Sequence, residues 1–381
     1  MTMILSQEQE SDLLLRGFTR RNFFKMAAMV AGAATMPFYD EPAMAQFSKI
    51  ENVPPNAVLI NANENPLGPC PEAMEAVHAM ALKGGRYMYQ ETDKLQALMA
   101  SQEGLDVGSV RIFVGSSPAL HQGVLAFTSP RRPLVIADPG YEAGERAANF
   151  IGSPVIKVPL TSTYAHDVKA MAAASTTTGL IYLCNPNNPS GTLTSKSDIE
   201  WLVANKPAGA IVMIDEAYTH IAGVPFNSDL VAQGKDVVIL RTFSKIYGMA
   251  GLRAGAAFAR PDLLNKLGGW GATMMPTTGI AAASASLQVK DLVPTRRKLI
   301  AQVREDTFMF LEKNNYKYIP SVSNCFMVDT GRPGMETVMA LRNENVFVGR
   351  VWPCWPNHVR VTVGTADEMQ KFQAAYKKVM S

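Results

Sequence analysis

Cysteine and histidine, the residues that most often bind transition metals, are scarce in this chain. Among 381 residues there are four cysteines and five histidines. Neither a CxxC pair nor an HxxxH spacing occurs, so we expect no metal site. The cysteines lie far apart along the chain, at Cys70, Cys184, Cys325 and Cys354.

The chain also lacks dense basic runs and long apolar runs. It has 36 Lys and Arg against 33 Asp and Glu. No Lys/Arg stripe stands out, so no nucleic-acid partner is expected. No apolar run reaches the ~20 residues that span a bilayer, and we expect no stable membrane anchor. Apolar residues make up 47% and charged residues 18% of the chain, which is typical of a globular protein.

The N-terminal stretch has the order of an export signal. A charged segment is followed by a short apolar run within residues 19–36, and then by the small-residue sequence AMAQ. The stretch resembles a twin-arginine signal in Arg20, Arg21, Phe23 and Lys25. That resemblance implies that residues 1–45 are a signal peptide, that the twin-arginine translocation machinery is a partner, and that the folded protein is periplasmic or exported. Since its core would form among reduced thiols, no structural disulfide is expected.

The rest of the chain predicts an arm and a body of two domains. Residues 46–72, rich in Pro and Asn, favour an extended N-terminal arm. Residues 73–284 alternate helical stretches with short continuous apolar runs. Such runs are typical of strands buried on both faces, so a large α/β domain with a mainly parallel sheet is predicted. Residues 285–381 contain a long helical stretch and later strand-like segments, which indicate a smaller α+β domain.

Five of the predicted strands end in polar sequences that contain Gly, Pro or hydroxyl side chains. These sequences are GSS, DPGY, NPNNPSG, DEAY and TFSK. Ligands of open α/β sheets bind beyond the carboxyl ends of the strands. We therefore expect the five segments to converge on one site.

Two of these segments carry residues suited to covalent cofactor chemistry. Lys245 follows an apolar strand, and a lysine held among apolar neighbours and near cations loses its charge more easily, so that it can form a Schiff base. Asp215 ends the strand VMID, where a buried carboxylate needs a cationic partner such as a protonated pyridine nitrogen. Taken alone, Lys245 could be an ordinary surface lysine and Asp215 a helix N-cap.

A third segment, GSSPALHQGVLAF at residues 115–127, predicts an anion site. Small residues with free backbone N–H groups at the start of a helix favour phosphate binding. Pro118 removes one of those donors. The GxxxxGK[ST] spacing of nucleotide-binding loops is absent, so a nucleotide is not favoured.

Together with further motifs, these segments resemble the fold-type I pyridoxal-phosphate aminotransferases, and most closely the histidinol-phosphate aminotransferase-like branch. The resemblance extends from about residue 59 to the C-terminus. It rests on NENPLGP, GGRYMYQ, DPGY, NPNNPSG, DEAY, TFSKIYGMAGLRAG and VRVTVGT. It implies a fold-type I α/β fold, pyridoxal 5'-phosphate (PLP) as cofactor, an amino acid and a 2-oxo acid as substrates, and a homodimer.

The resemblance also implies roles around the PLP ring. Lys245 would be the Schiff-base lysine and the catalytic base. Asp215 would pair with the pyridine nitrogen, Asn188 and Tyr218 would hydrogen-bond the phenolic oxygen, and Tyr141 would stack on the ring. Packing roles for the two tyrosines are the alternative.

Other matched residues imply a phosphate site and a substrate site. The phosphate would be surrounded by Ser116, Ser117, Thr242, Ser244 and Arg253, with Tyr87 from the neighbouring subunit. Arg360, helped by Asn188, would bind the substrate α-carboxylate in a bidentate pair. Arg350 matches the position from which the family reaches a distal acidic group. Tyr87 and Arg350 could alternatively be structural.

The predicted function is therefore a PLP-dependent aminotransferase that works by two half-transaminations. Trp352 and Trp355 near the substrate side depart from the family pattern, and an exported enzyme is separated from cytoplasmic histidine synthesis, so histidinol phosphate is not the expected substrate. One alternative is a PLP-dependent lyase, cyclase or racemase, since Lys245 and Asp215 serve all of these reactions. Another is a cofactor-binding regulator or carrier, although no DNA-binding module is evident.

Overall fold

The computed structural model describes residues 7–19, 22, 53–271 and 274–381. The four residues that carry the twin-arginine resemblance lie outside the described residues, as does the predicted cleavage site. These residues are Arg20, Arg21, Phe23 and Lys25.

The chain forms three sheets. The strands are β1 Val58–Ile60, β2 Val110–Phe113, β3 Leu134–Asp138, β4 Val155–Pro159, β5 Leu180–Cys184, β6 Ile211–Asp215, β7 Val237–Thr242, β8 Gly255–Phe258, β9 Lys317–Ile319, β10 Cys325–Asp329, β11 Val346–Val348 and β12 His358–Thr362. Seven of them form the main sheet in the order β2-β8-β7-β6-β5-β3-β4. Neighbours in this sheet are parallel except β8, which is antiparallel to β2 and β7. The predicted mainly parallel α/β fold is confirmed.

The strands at the centre of this sheet are apolar except at their carboxyl ends, where Asp215 ends β6 and Arg241 and Thr242 end β7, because both of their faces are covered. Every residue of β5, β6 and β7 is buried. Their apolar side chains belong to the same core as those of the helix Ser117–Phe127, which follows β2. Since the strands are covered on both faces, polar groups are left for the strand ends.

Helices connect most of the strands. They are Gln7–Leu15, Pro71–Ala81, Tyr89–Glu103, Ser117–Phe127, Ala143–Ile151, Val168–Ala173, Lys196–Asn205, Thr219–Ala222, Ser228–Ala232, Pro261–Gly268, Thr277–Gln288, Leu292–Lys313, Gly334–Asn343 and Ala366–Met380. The last begins with a capping box, in which the Thr365 side chain accepts from the Glu368 N–H and the Glu368 side chain accepts from the Thr365 N–H. Such a box satisfies two backbone donors that a helix start leaves unpaired.

The C-terminal part contains the antiparallel sheet β12-β10-β9, and β11 pairs in parallel with β1 of the arm. The arm is thus tied to the C-terminal part, and residues 61–65, which follow β1, are brought back toward the main sheet. The predicted boundary between the large and the small domain, at residue 285, falls inside the helix Thr277–Gln288. That boundary would therefore divide one helix between the two domains.

The described part of the chain contains no helix that is both long and apolar enough to cross a bilayer. In the same ranges, no group of three or more His, Cys, Asp or Glu side chains could hold a metal ion.

Candidate active site

One pocket lies at the carboxyl ends of β2, β3, β5, β6 and β7. The five polar segments predicted to converge all contribute to it. Ten of the thirteen predicted site residues line it, namely Ser116, Ser117, Tyr141, Asn188, Asp215, Tyr218, Thr242, Ser244, Lys245 and Arg253. Their convergence follows from the parallel strands, whose carboxyl ends meet at the same edge of the sheet.

Lys245 lies in the loop that follows β7, and this loop contacts both the N-terminal arm and Arg296. Its side chain is 8% exposed, and its Nζ donates a hydrogen bond of 2.9 Å to the backbone oxygen of Asn63. Gly248 of this loop has a φ of 67°, and a Cβ there would lie 2.1 Å from the Gly68 carbonyl oxygen. Glycine therefore allows the arm and the lysine loop to touch, and Arg296 donates to both segments, at the carbonyl oxygens of residues 246 and 68.

Asp215 lies at the end of β6 and is 4% exposed. Its two carboxylate oxygens accept hydrogen bonds from the Tyr182 hydroxyl at 2.9 Å and from the Ala217 N–H at 3.1 Å. Burial raises the pKa of Asp215 to about 6, while the hydrogen bond from Tyr182 and the charge of Lys245 oppose that shift. A cationic donor beside this carboxylate would stabilise its ionised form.

Asn63 was not predicted as a site residue, although it lies in the NENPLGP motif. It is fully buried, with a φ of 53°. Its side-chain amide donates to the Tyr218 hydroxyl at 3.0 Å and accepts from the Thr362 hydroxyl at 3.1 Å. Asn63 thus connects Tyr218 and Lys245 through its side chain and its carbonyl oxygen. The sequence did contain a signal for this backbone conformation. Asn tolerates a positive φ better than most residues do, and Asn63 lies in an arm that is rich in Asn and Pro.

The predicted phosphate residues cluster on one side of the pocket. Arg253 donates to the backbone oxygen of Ala250 at 2.9 Å and of Val114 at 3.3 Å. A Cβ on Gly115 would lie 2.5 Å from the Arg253 Nη2, so only glycine leaves room for this guanidinium. The helix Ser117–Phe127 begins beside it, and the unpaired N–H groups of its first turn and its dipole favour an anion at the same place.

Arg360 lies on β12 and is completely buried. Its Nη1 donates to the Oδ1 of Asn188 at 2.9 Å and its Nη2 donates to the backbone oxygen of Asn61 at 2.7 Å. Because the Asn188 oxygen accepts from Arg360, the Nδ2 group is the donor that this amide offers to other partners.

Arg360 is not among the residues that line the pocket, and neither are Arg350 and Tyr87. Arg350 forms an ion pair of 2.5 Å with Glu142, which directly follows Tyr141, and it stacks on the indole of Trp352. Glu142 was not predicted as a site residue. Tyr87 is 66% exposed and stacks with Tyr89, so in a single chain it is a surface residue.

Comparison with known proteins assigns this constellation to a family. The family model described as aminotransferase class I and II matches residues 55–375. The chain belongs to this family. It is a PLP-dependent aminotransferase, and the function and cofactor predicted from the sequence are confirmed.

Similar proteins include histidinol-phosphate and aromatic amino acid aminotransferases. The chain is 33% identical to a histidinol-phosphate aminotransferase of Symbiobacterium thermophilum, over 85% of this chain and 90% of the relative. It is also 33% identical to an aromatic amino acid aminotransferase of Cutibacterium acnes, over 82% and 90% respectively. The histidinol-phosphate aminotransferase of Sinorhizobium meliloti, solved in complex with PLP, superposes with a TM-score of 0.78 at 25% identity, covering 91% of this chain and 95% of that one.

The side chains in the pocket of the aminotransferase fit PLP by the chemistry of their donors. Lys245 offers a buried primary amine for the aldehyde, and Asp215 offers a buried carboxyl for the pyridine nitrogen. The pocket also offers the Arg253 guanidinium, hydroxyl groups and the start of a helix for the phosphate. Gly115, which has no Cβ, leaves the space in which the Arg253 guanidinium lies at this phosphate site.

Proposed function

We propose that this aminotransferase transfers an amino group between an amino acid and a 2-oxo acid with Lys245 as both the point of covalent PLP attachment and the catalytic base. The observation that carries this proposal is the presence of the buried Lys245 amine and the buried Asp215 carboxyl in one pocket. When bound, PLP supplies an electron-poor ring that accepts the negative charge left on the substrate α-carbon. The Lys245 amine, released once the substrate amine has taken its place on the cofactor, would move the proton from that carbon to the cofactor, and in the opposite direction in the reverse half-reaction.

The other pocket residues orient the cofactor. Asp215 keeps the pyridine nitrogen protonated, because a carboxylate buried at the end of β6 stabilises a cation beside it. Asn188 and Tyr218 would donate to the phenolic oxygen, and Tyr141 would pack against the ring. Ser116, Ser117, Thr242, Ser244 and Arg253 would hold the phosphate.

Arg360 binds the substrate α-carboxylate. A buried guanidinium that already donates to Asn188 and to a backbone oxygen is held in one orientation, and a fork of N–H groups recognises a carboxylate bidentately. Both substrates carry this carboxylate, so Arg360 serves both half-reactions. Arg350, which lies next to the pocket, would face the distal group of the substrate side chain.

We further propose a homodimer that is exported in its folded state. The exposed Tyr87, two residues before the helix Tyr89–Glu103, would complete the phosphate site of the partner. The Arg20 and Arg21 motif would direct the folded protein, loaded with PLP, through the twin-arginine machinery to the periplasm, and residues 1–45 would be the signal. The arm, large domain and small domain would divide at residues 72 and 284.

A single-turnover experiment tests the proposed reaction. The purified, PLP-loaded protein is mixed with one amino acid at a time and no 2-oxo acid. A half-transamination releases about one equivalent of the matching 2-oxo acid per active site and then stops until an acceptor is added. Continued product formation without acceptor would instead identify elimination or decarboxylation, and loss of optical purity without product would identify racemisation.

A further inference from the structure

An ion pair between Arg350 and Glu142 lies next to the pocket, beside Tyr141, which lines it. The Nη2 of Arg350 and the Oε2 of Glu142 are 2.5 Å apart, and the two side chains are 17% and 19% exposed. A pair that is largely removed from water interacts more strongly than a surface pair.

Both partners of this pair are anchored to pocket elements. Glu142 follows Tyr141, which lines the pocket. The Arg350 guanidinium lies 4.2 Å from the ring centroid of Trp352, and the Arg360 guanidinium lies 5.5 Å from it. The indole N–H of Trp352 donates to the backbone oxygen of Gly140 at 3.1 Å. Trp352 therefore joins Arg350 and Arg360 to the segment that carries Glu142.

The pairing changes what Arg350 can bind. A distal carboxylate or phosphate that approaches Arg350 has to displace Glu142, and it also meets the negative charge of Glu142 at close range. A substrate with an uncharged side chain leaves the pair intact and packs beside the apolar surface of the site. A phosphate monoester, with up to two negative charges, is disfavoured more strongly than a carboxylate.

We propose that Glu142 is a specificity-determining residue, which neutralises Arg350 and directs the enzyme toward amino acids and 2-oxo acids with uncharged side chains. This inference rests on the proposed function, because it takes Arg360 as the α-carboxylate site and Arg350 as the neighbour of the distal group.

Calorimetric titration of the PLP-loaded enzyme tests the proposal with two carboxylic acids that have no amino or oxo group and therefore bind without reacting. 3-Phenylpropionate has one carboxylate and an uncharged end, whereas glutarate has a second carboxylate. Wild-type enzyme is expected to bind 3-phenylpropionate about tenfold more tightly than glutarate. Glu142→Gln is expected to tighten glutarate binding about tenfold relative to 3-phenylpropionate, because Arg350 loses its competing partner.

A double-mutant cycle separates competition for Arg350 from a general change of charge. In Glu142→Gln/Arg350→Met, the gain for glutarate should disappear, since the guanidinium is gone. Glu145→Gln is the matched control. Glu145 lies three positions after Glu142 and pairs with Lys157 at 2.9 Å, not with Arg350. Its replacement should leave the affinity ratio within about twofold of wild type. If Glu142→Gln does not fold, Glu142→Asp, one methylene shorter, should shift the ratio in the same direction.

Two results would overturn the proposal. One is tighter binding of glutarate than of 3-phenylpropionate by the wild-type enzyme. The other is an affinity ratio that Glu142→Gln leaves unchanged, or that Glu145→Gln changes equally. A protein that releases no 2-oxo acid from any amino acid would contradict the proposed function, while the titrations would still decide the role of Glu142.

Discussion

The ε-amino group of Lys245 donates a 2.9 Å hydrogen bond to the backbone oxygen of Asn63, a residue 182 positions earlier in the chain. The arm thus supplies part of the pocket that the strand ends form. Asn63 is held in turn by Thr362 of β12, whose hydroxyl accepts from the Asn63 backbone N–H at 2.9 Å. Three distant segments of the chain therefore determine the position of one amine.

Lys245→Ala should abolish covalent attachment of PLP while leaving some PLP bound, since the ring and phosphate contacts remain. The rate of amine transfer should fall at least ~10³-fold, the scale on which a catalytic acid–base acts. Mass spectrometry after borohydride reduction should show added cofactor mass on wild type and none on the variant. Lys196→Ala, which removes a lysine paired with Asp229, should behave as wild type, and near-normal turnover of Lys245→Ala would refute the assignment.

Replacing Asn63 should weaken PLP binding by releasing the Tyr218 hydroxyl. One lost hydrogen bond of about 0.5–1.5 kcal/mol corresponds to roughly two- to tenfold in affinity. Asn63→Gly and Asn63→Ala both lack the amide, but Gly tolerates the φ of 53° and Ala does not. PLP titration should therefore show similar losses for both, whereas the melting temperature should fall further for Asn63→Ala. Wild-type PLP affinity in Asn63→Gly would show that the amide does not position Tyr218.

The contribution of Asp215 to the stability of the cofactor-free protein should decrease as the pH rises from about 4 to about 6. Burial raises the pKa of Asp215 to about 6, so in this window Asp215 binds more protons in the folded state than in the unfolded state, and its contribution falls with increasing pH. Two pKa units correspond to about 3 kcal/mol. Burial lowers the pKa of His121, His166 and His220 to about 3 or 4, and these groups act in the opposite direction.

Chemical denaturation at pH 4.5 and 6.5 measures this contribution as the difference between wild type and a variant. The change in stability from pH 4.5 to 6.5 should be more favourable for Asp215→Asn, which has no carboxyl to ionise, than for wild type, and Asp306→Asn at an exposed site should match wild type. PLP should also reduce the contribution of Asp215 to the pH dependence, because a cation beside Asp215 lowers its pKa. Equal pH dependence in Asp215→Asn and wild type would show that another group is responsible.

Changing Arg20 and Arg21 to lysines should leave a folded, active enzyme in the cytoplasm. The twin-arginine resemblance depends on the two guanidinium groups, and lysine preserves only their charge. Cell fractionation followed by the amine-transfer assay locates the activity. The same change at Arg131 and Arg132, a second pair of adjacent arginines, should not affect location, and periplasmic activity of the Arg20/Arg21 variant would contradict the proposed signal.

Much of the fold could be predicted because its signals are local. Continuous apolar runs between helical stretches indicated strands buried on both faces, and β5, β6 and β7 are buried throughout. The polar sequences after the strands indicated where a site would lie, and the topology brings them to one pocket. The antiparallel direction of β8 was not predictable, since an apolar run of four residues has no signal for direction.

The sequence by itself determined the chemistry of the site, because residue type and position relative to a strand end are properties of short segments. Only the tertiary structure decided which residues from distant segments meet them. Asn63 reaches Lys245 through the pairing of β1 with β11, Tyr182 reaches Asp215 from the neighbouring strand, and Glu142 reaches Arg350 from a segment far away along the chain. These contacts depend on strand register and loop path, which are set by packing of the whole chain and leave no periodic pattern in the sequence.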